Sequence, residues 1–234
     1  MKNYLIPLVQ LYKSNKNEED AFWAKKYMRN QFEFLGLKKP IREELTKKFY
    51  KEFGLPNIDE LEEIILELWK LDEREFQYFA MSLIGKFQKK WKKEYIELFE
   101  TLILEKSWWD TVDWIASRII GPFFKQYPEL KYQTTEKWIN SDNIWLQRVC
   151  VIHQMFYKKQ TDKKMLFEFC DLKKESNEFF IQKAIGWALR QYSKSEPKKV
   201  LDFINSTKLK PLSYREGIRI IKKDFPELIK NEYQ

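Results

Sequence analysis

Residues 106–114, KSWWDTVDW, crowd three tryptophans and two aspartates into two turns of expected helix. Trp109 and Asp113 stand four apart, which on a helix puts an indole and a carboxylate on one face about one turn from each other. No Lys or Arg lies three or four residues to either side of Asp113, so the ordinary local ion pair is missing. Electron-rich ring faces around a carboxylate favour a guest bearing positive charge, through cation–π and direct Coulomb attraction. Glycosidic cleavage through an oxocarbenium-like state develops such a charge on a sugar. Taken singly, these residues have plainer readings, since most Asp are surface or packing charges and most Trp fill a core. Their register along the chain gives them weight.

The elements that position them are helices. Apolar residues recur at intervals of three and four almost throughout, without sustained alternation, which predicts a nearly all-helical chain. Helices are expected over residues 5–13, 18–35 (closed by Gly36) and 40–53 (opened by Pro40, ended by Gly54), then after a capping box of Asn57 and Glu60. From Asp72 a repeat emerges. Helix starts are expected at Asp72, Ser107, Ser141, Ser176 and Ser213, with a second helix between each pair near 92–104, 127–139, 162–172 and 197–205. Two helices in each interval of this length predict an all-α, curved, right-handed solenoid of HEAT-like repeats with a concave face, folded as a single domain over 1–234.

FQYF at Phe76, LQRV at Leu146 and IQKA at Ile181 lay the repeats on one another, bringing Gln77, Gln147 and Gln182 to one position. Asp113 falls 36 residues after Gln77 and 34 before Gln147, so this register predicts a carboxylate in place of a glutamine. The following position reads Tyr78, Trp114, Arg148 and Lys183, with Trp187 one turn beyond Lys183. On a concave face two indoles, Asp113 and Arg148 would converge. Trp108, Trp114, Trp138 and Trp145 are assigned to the core, and His153 is read as a satisfied core histidine.

Composition narrows the partners. A net charge of +8 favours a polyanion, nucleic acid before an acidic membrane surface. With 33% charged and 17% aromatic residues, the chain is not of the disordered class. Cys150 and Cys170 are expected as buried reduced thiols, and one histidine without clustered cysteines makes a metal site improbable. No apolar run reaches the ~18 residues of a membrane span, and no signal peptide is read at the start, so a cytoplasmic address is expected. Glycine-rich phosphate loops, HExxH and GxSxG are missing, which leaves nucleotide hydrolysis, metalloproteolysis and serine hydrolysis without their parts.

SWWDTVDW, SDNIWLQR at Ser141 and EFFIQKAIGWALRQYSK at Glu178, with FLGLKKPIR at Phe34 and EREFQ at Glu73, closely resemble the AlkD-type bacterial DNA glycosylases. The resemblance covers almost the whole chain. It implies monofunctional hydrolysis of the N-glycosidic bond of cationic N3- and N7-alkylpurines, such as 3-methyladenine and 7-methylguanine, in duplex DNA. It further implies that the lesion is not enclosed in a pocket and that neither metal nor cofactor takes part. A solenoid with polar ends is expected to act as a monomer, on the nucleoid and with no obligate protein partner. By matching motif, Asp113 would stabilise the sugar cation and position water, Trp109 and Trp187 would pack on the deoxyribose, and Arg148 would fix the backbone beside Asp113. Tyr27 matches a DNA-proximal tyrosine of the family, and Lys38, which departs from the family pattern, Lys183 and Arg190 are expected as further DNA contacts. The rival expectation is a non-catalytic HEAT-like protein that binds distorted or branched DNA, and a third is a protein-binding solenoid.

Overall fold

A computed structural model describes residues 1–230, whose regular structure is helical, with one isolated bridge pairing Glu33 and Glu73. Helices α1 (Leu5–Ser14), α2 (Glu18–Tyr27), α3 (Lys39–Phe53), α4 (Leu61–Lys70) and α5 (Arg74–Lys86) lead into α6 (Tyr95–Leu104). Next in order come α7 (Trp109–Trp114), α8 (Gly121–Gln126), α9 (Pro128–Ile139), α10 (Ile144–Ile152), α11 (Lys163–Leu172) and α12 (Phe179–Ser193). The series closes with α13 (Pro197–Ser206), α14 (Pro211–Gly217), α15 (Arg219–Asp224) and α16 (Pro226–Lys230). The all-helical class read from periodicity therefore holds. Contacts divide the chain into two compact units, Met1–Leu98 and Phe99–Gln234. Among the described residues no helix is long and apolar enough to cross a membrane, and no cluster of His, Cys, Asp or Glu is placed to hold a metal ion. Both cysteines are free and buried, as expected.

One predicted helix is shorter than its pattern. The run 18–35 ends as helix at Tyr27, because Arg29 and Asn30 take left-handed backbone angles (φ 54° and 57°) that close the last turn. The loop beyond this turn is secured by one carboxylate. Buried Glu75, on α5, accepts the backbone N–H of Leu35 (3.0 Å), Gly36 (2.9 Å) and Leu37 (3.1 Å). Gly36 sits at φ 78°, and a Cβ there would overlap the Asn17 carbonyl oxygen, so both conformation and space demand glycine. The FLGLKKPIR and EREFQ motifs thus meet in one lock. We expect Glu75→Ala to lower unfolding stability in urea by about 3 kcal/mol or more, since three buried donors lose a charged acceptor.

In the second unit, α10 packs against α9, α11 and α12, and against the α7 segment, while α12 packs against α13 and α14. The arrangement is two-layered: α7, α10, α12 and α14 form one layer, and α9, α11 and α13 form the other. This alternation is the predicted pair of helices per repeat.

Candidate active site

The N-caps of the repeat helices are Glu73, Trp108, Asn143 and Glu178, each 35 residues after the last. Ser107, expected as a cap, instead donates its hydroxyl to the carbonyls of Ile103 (2.6 Å) and Leu104 (2.9 Å), finishing the preceding helix. Asn143, rather than Ser141, caps α10, its side-chain oxygen accepting the N–H of Trp145 (2.9 Å) and Leu146 (3.2 Å). The helix start is therefore one residue later than expected at α7, and the register shifts with it.

That shift corrects the alignment of Asp113. The glutamines share a structural duty: the amide of Gln77 donates to the Leu71 carbonyl (2.8 Å), Gln147 to Ser141 (2.6 Å) and Gln182 to Ser176 (3.1 Å), each closing the turn six residues before it. Val112, fully buried, occupies the corresponding place in α7. Asp113 belongs to the next position, with Tyr78, Arg148 and Lys183, so it does not replace a glutamine. Asp113, Arg148 and Lys183 succeed one another at intervals of 35 residues.

Equivalent positions on packed helices lie side by side, and Asp113 and Arg148 pair there. Arg148 Nε donates to Asp113 Oδ1 at 2.6 Å and Nη2 to Oδ2 at 2.8 Å, a two-pronged contact, while Nη1 donates to the Phe180 carbonyl of α12. Three helices thus hold one guanidinium. The Arg148 side chain is 5% exposed and the Asp113 side chain 15%. An ionised carboxylate offers about four acceptor sites, of which Arg148 takes two, so Asp113 keeps capacity for further donors. The partner missing from the neighbouring turns of α7 is supplied from the adjacent repeat. Burial pushes the Asp113 carboxyl above its ordinary value, the Arg148 guanidinium pulls it back, and Asp110 adds a smaller upward push.

Local sequence fixes the two sides of this pair. After Trp114 the helix continues through a π-helical segment, Ile115–Ile120, before resuming at Gly121. Pro122 lacks the N–H that an unbroken α-helix would use and its ring crowds the carbonyl four residues back, which is the physical reason for a widened turn there. Ser117 donates to the Asp113 carbonyl at 2.7 Å. Gly121 lets α8 approach α10, because a Cβ would overlap the His153 carbonyl oxygen. Sequence reasoning passed over this π segment, although a Gly-Pro pair inside an apolar helical pattern was its signal.

Beneath the Phe180 carbonyl lies an aromatic cluster. Phe180 packs on Trp108 (centroids 5.2 Å) and Trp145 (4.9 Å), and these indoles pack on each other at 5.7 Å. Trp138 and Trp145 are buried as expected, but Trp108 and Trp114 are only half-buried. The inward face of this helix runs through Thr111, Val112, Ile115, Ala116, Ile119 and Ile120, which turns Trp114 to its flank, while Trp108, the N-cap residue, keeps its indole Nε1 buried without a partner among the described residues. Trp109 and Trp187 are also half-buried, Trp109 one turn before Asp113 and Trp187 one turn after Lys183. His153 is fully buried, its Nδ1–H donating to the Cys150 carbonyl (2.8 Å) while Nε2 has no partner among the described residues. Burial lowers its pKa to about 4.

The expected DNA contacts fall in both units. Lys183 (2.7 Å) and Arg190 both pair with Glu216, whose carboxyl Lys183 and then Arg190 hold below the ordinary range, so two cations share one anion. In the first unit Tyr27 is 72% exposed at the end of α2, and exposed Lys38 pairs with Asp20 at 2.7 Å. Helix α2 buries no residue and also exposes Phe22 and Trp23, whose rings meet edge to face 5.3 Å apart.

Comparisons with known proteins bear on the family and the fold. The profile of a family described as DNA alkylation repair enzyme matches residues 8–221. A solved structure described as a predicted DNA alkylation repair enzyme from Enterococcus faecalis is 32% identical, with a TM-score of 0.83, over 89% of this chain and 97% of that one. No curated protein matches the chain. Sequence profile and backbone together make the chain a member of the DNA alkylation repair enzyme family.

Proposed function

We propose that the protein is a monofunctional DNA glycosylase that hydrolyses the N-glycosidic bond of cationic N3- and N7-alkylated purines, including 3-methyladenine and 7-methylguanine, in duplex DNA. The observation that carries this reading is the buried Asp113–Arg148 pair: an oriented carboxylate with acceptor capacity to spare, at a position of reduced solvent access. An alkylated purine already carries positive charge, so its departure needs little help from a general acid, and the protein's task is to stabilise the sugar cation left behind. Asp113 supplies the negative charge and a site to hold attacking water. Burial strengthens that interaction by excluding competing solvent. Trp109 and Trp187 wall the deoxyribose, and Tyr27, Lys38, Lys183 and Arg190 approach the DNA strands. On this proposal the protein acts as a monomer on double-stranded DNA, and the base is not enclosed.

The test is release of 7-methylguanine from alkylated duplex DNA by the wild-type protein. Release well above spontaneous depurination is expected, and a rate no faster than spontaneous overturns the proposal. A branched-DNA binder without such release is the rival outcome.

The pH profile provides a further check. Asp113 acts as its anion, so excision falls as pH decreases through its pKa. Because burial raises that pKa, the loss begins at higher pH than an ordinary aspartate, with its value of 3.8, would give. For stability the sign is opposite to that of a salt-bridged carboxylate with a lowered pKa: the charged form is the costlier one in the fold, and its cost is relieved as pH falls through the raised value. Single-turnover excision across acidic pH, corrected for spontaneous release, measures the catalytic effect.

A further inference from the structure

Two stretches that meet in the second unit contain no acid. Residues 115–128 run through the π-helical segment and α8, and residues 144–161 through α10 and the loop after it; neither holds an Asp or Glu. Between them they carry Arg118, Lys125, Arg148, Lys158 and Lys159. Helix α10 packs against the π-helical segment, which brings the two stretches together. Arg148 is committed to Asp113 and the Phe180 carbonyl, whereas the other four cations are exposed.

Two of these four are seated on consecutive aromatic rings. The guanidinium carbon of Arg118 lies 4.1 Å from the ring centre of Phe156, and Lys125 Nζ lies 4.3 Å from that of Tyr157. Phe156 is 45% exposed, so its ring is a surface platform rather than part of the core. Tyr157 is tied to the start of α8, its hydroxyl donating to the Gly121 carbonyl at 2.6 Å. Neither cation has a carboxylate partner among the described residues. Lys125 Nζ donates to the Gln160 side-chain oxygen at 2.9 Å, one of its three donors, and the Arg118 side chain makes no hydrogen bond there, which leaves all five of its donors available. The acids that border these stretches are engaged or set apart: Asp162 accepts from Lys131 (3.0 Å) and Tyr132 (2.8 Å), and Glu129 lies past the break at Tyr127 and Pro128 that ends α8.

A ring beneath a cation restricts its swing without neutralising its charge. Cations held in this way, with donors to spare and no acid among them, are matched to phosphate. The surface is open rather than enclosed, which suits a backbone running across it better than a small anion. Family membership makes DNA the phosphate polymer this protein meets.

We propose that Arg118 and Lys125, seated on Phe156 and Tyr157, form a contact for the phosphate backbone of DNA, which Lys158 and Lys159 extend. Arg118 stands five residues after Asp113 on one continuous helical run, so a strand gripped there is anchored to the element that carries the carboxylate. The contact rests on DNA being the ligand and not on the excision chemistry.

Binding of the full-length protein to a short fluorescent duplex without lesions, followed by anisotropy over a salt series, tests this. Arg118→Gln/Lys125→Gln is expected to weaken binding about tenfold or more and to reduce the slope of log affinity against log salt by about 1.8, with about half that change in Arg118→Gln alone. Phe156→Leu, which keeps the charge and removes the ring, is expected to weaken binding about threefold without changing the slope. These positions are exposed, so the variants retain the fold, which circular dichroism checks. Wild-type affinity and slope in the double variant overturn the proposal. So does an equal loss in Lys163→Gln/Lys164→Gln, which removes two exposed lysines from α11 in the other layer and reports net charge alone. Tighter association with anionic phosphatidylglycerol vesicles than with the duplex, lost in the same double variant, would assign the surface to a membrane and also overturn it. Duplex binding that depends on Arg118 and Lys125 in a protein that releases no alkylated base would uphold this contact while the glycosylase reading fails.

Discussion

Asp113→Asn is expected to lower 7-methylguanine release from alkylated duplex DNA by about a hundredfold or more, the scale on which removal of a preorganised electrostatic group acts. The substitution preserves volume and leaves Arg148 bonded to the Phe180 carbonyl, so the three-helix junction stays assembled. One amide oxygen replaces two carboxylate oxygens and the negative charge is lost, which removes the feature that answers a developing sugar cation. Affinity for DNA should be kept or rise, because a negative charge is withdrawn near a phosphate backbone. Excision by single turnover and binding at matched salt separate the two effects. Release within about tenfold of wild type, a loss of no more than ~1.4 kcal/mol, would show that Asp113 serves structure alone.

Arg148→Met should affect both stability and excision. Removing the guanidinium leaves the Asp113 carboxylate buried without its partner, a change that costs about 3–5 kcal/mol in unfolding stability. The carboxyl would meet that cost partly by holding its proton longer, which silences it at neutral pH as well. Arg148→Lys should also fail, because one ammonium cannot make the two-pronged contact and reach the Phe180 carbonyl from a planar fork. The double variant Asp113→Leu/Arg148→Met separates fold from function. It should recover much of the stability lost in Arg148→Met, since an apolar pair of suitable size replaces a buried ion pair without leaving a charge, yet it should release no alkylated base. Recovery of excision together with stability would refute a direct part for Asp113.

Pairing changes the standing of Asp113. The sequence shows a carboxylate without a local cation, which invites a functional reading by elimination. In the fold the carboxylate has a cation, and an orienting one. The functional reading now stands on spare acceptor capacity, restricted solvent access and half-buried indoles on the same and neighbouring helices. These are properties of a prepared site rather than of an unexplained charge.

The helical class, the two-helix repeat and the membership of SWWDTVDW, SDNIWLQR and EFFIQKAIGW in one periodic series were legible because they depend on local spacing. A repeat near 35 residues also set Arg148 and Lys183 at one position, but it placed Asp113 one position early, among the glutamines. That error has a chemical origin. Ser107 is a strong N-cap by type, but a hydroxyl can donate backward as readily as it accepts forward, and here it closes α6 while Trp108 opens α7. The end of α2 escaped for a similar reason, since its apolar spacing continues past the left-handed turn at Arg29 and Asn30.

By itself the sequence determined what local chemistry can specify: helices, their period, and which residue types recur on adjacent turns. Tertiary structure alone decided the partners. Asp113 and Arg148 are separated by 35 residues and become neighbours only when α7 and α10 pack. Glu75 finds three backbone donors only when α5 meets the loop after α2, and Lys183 and Arg190 share Glu216 only when α12 meets α14. Periodicity can place residues on equivalent faces, but a hydrogen bond depends on ångström distances between atoms on different elements, and those are fixed by packing.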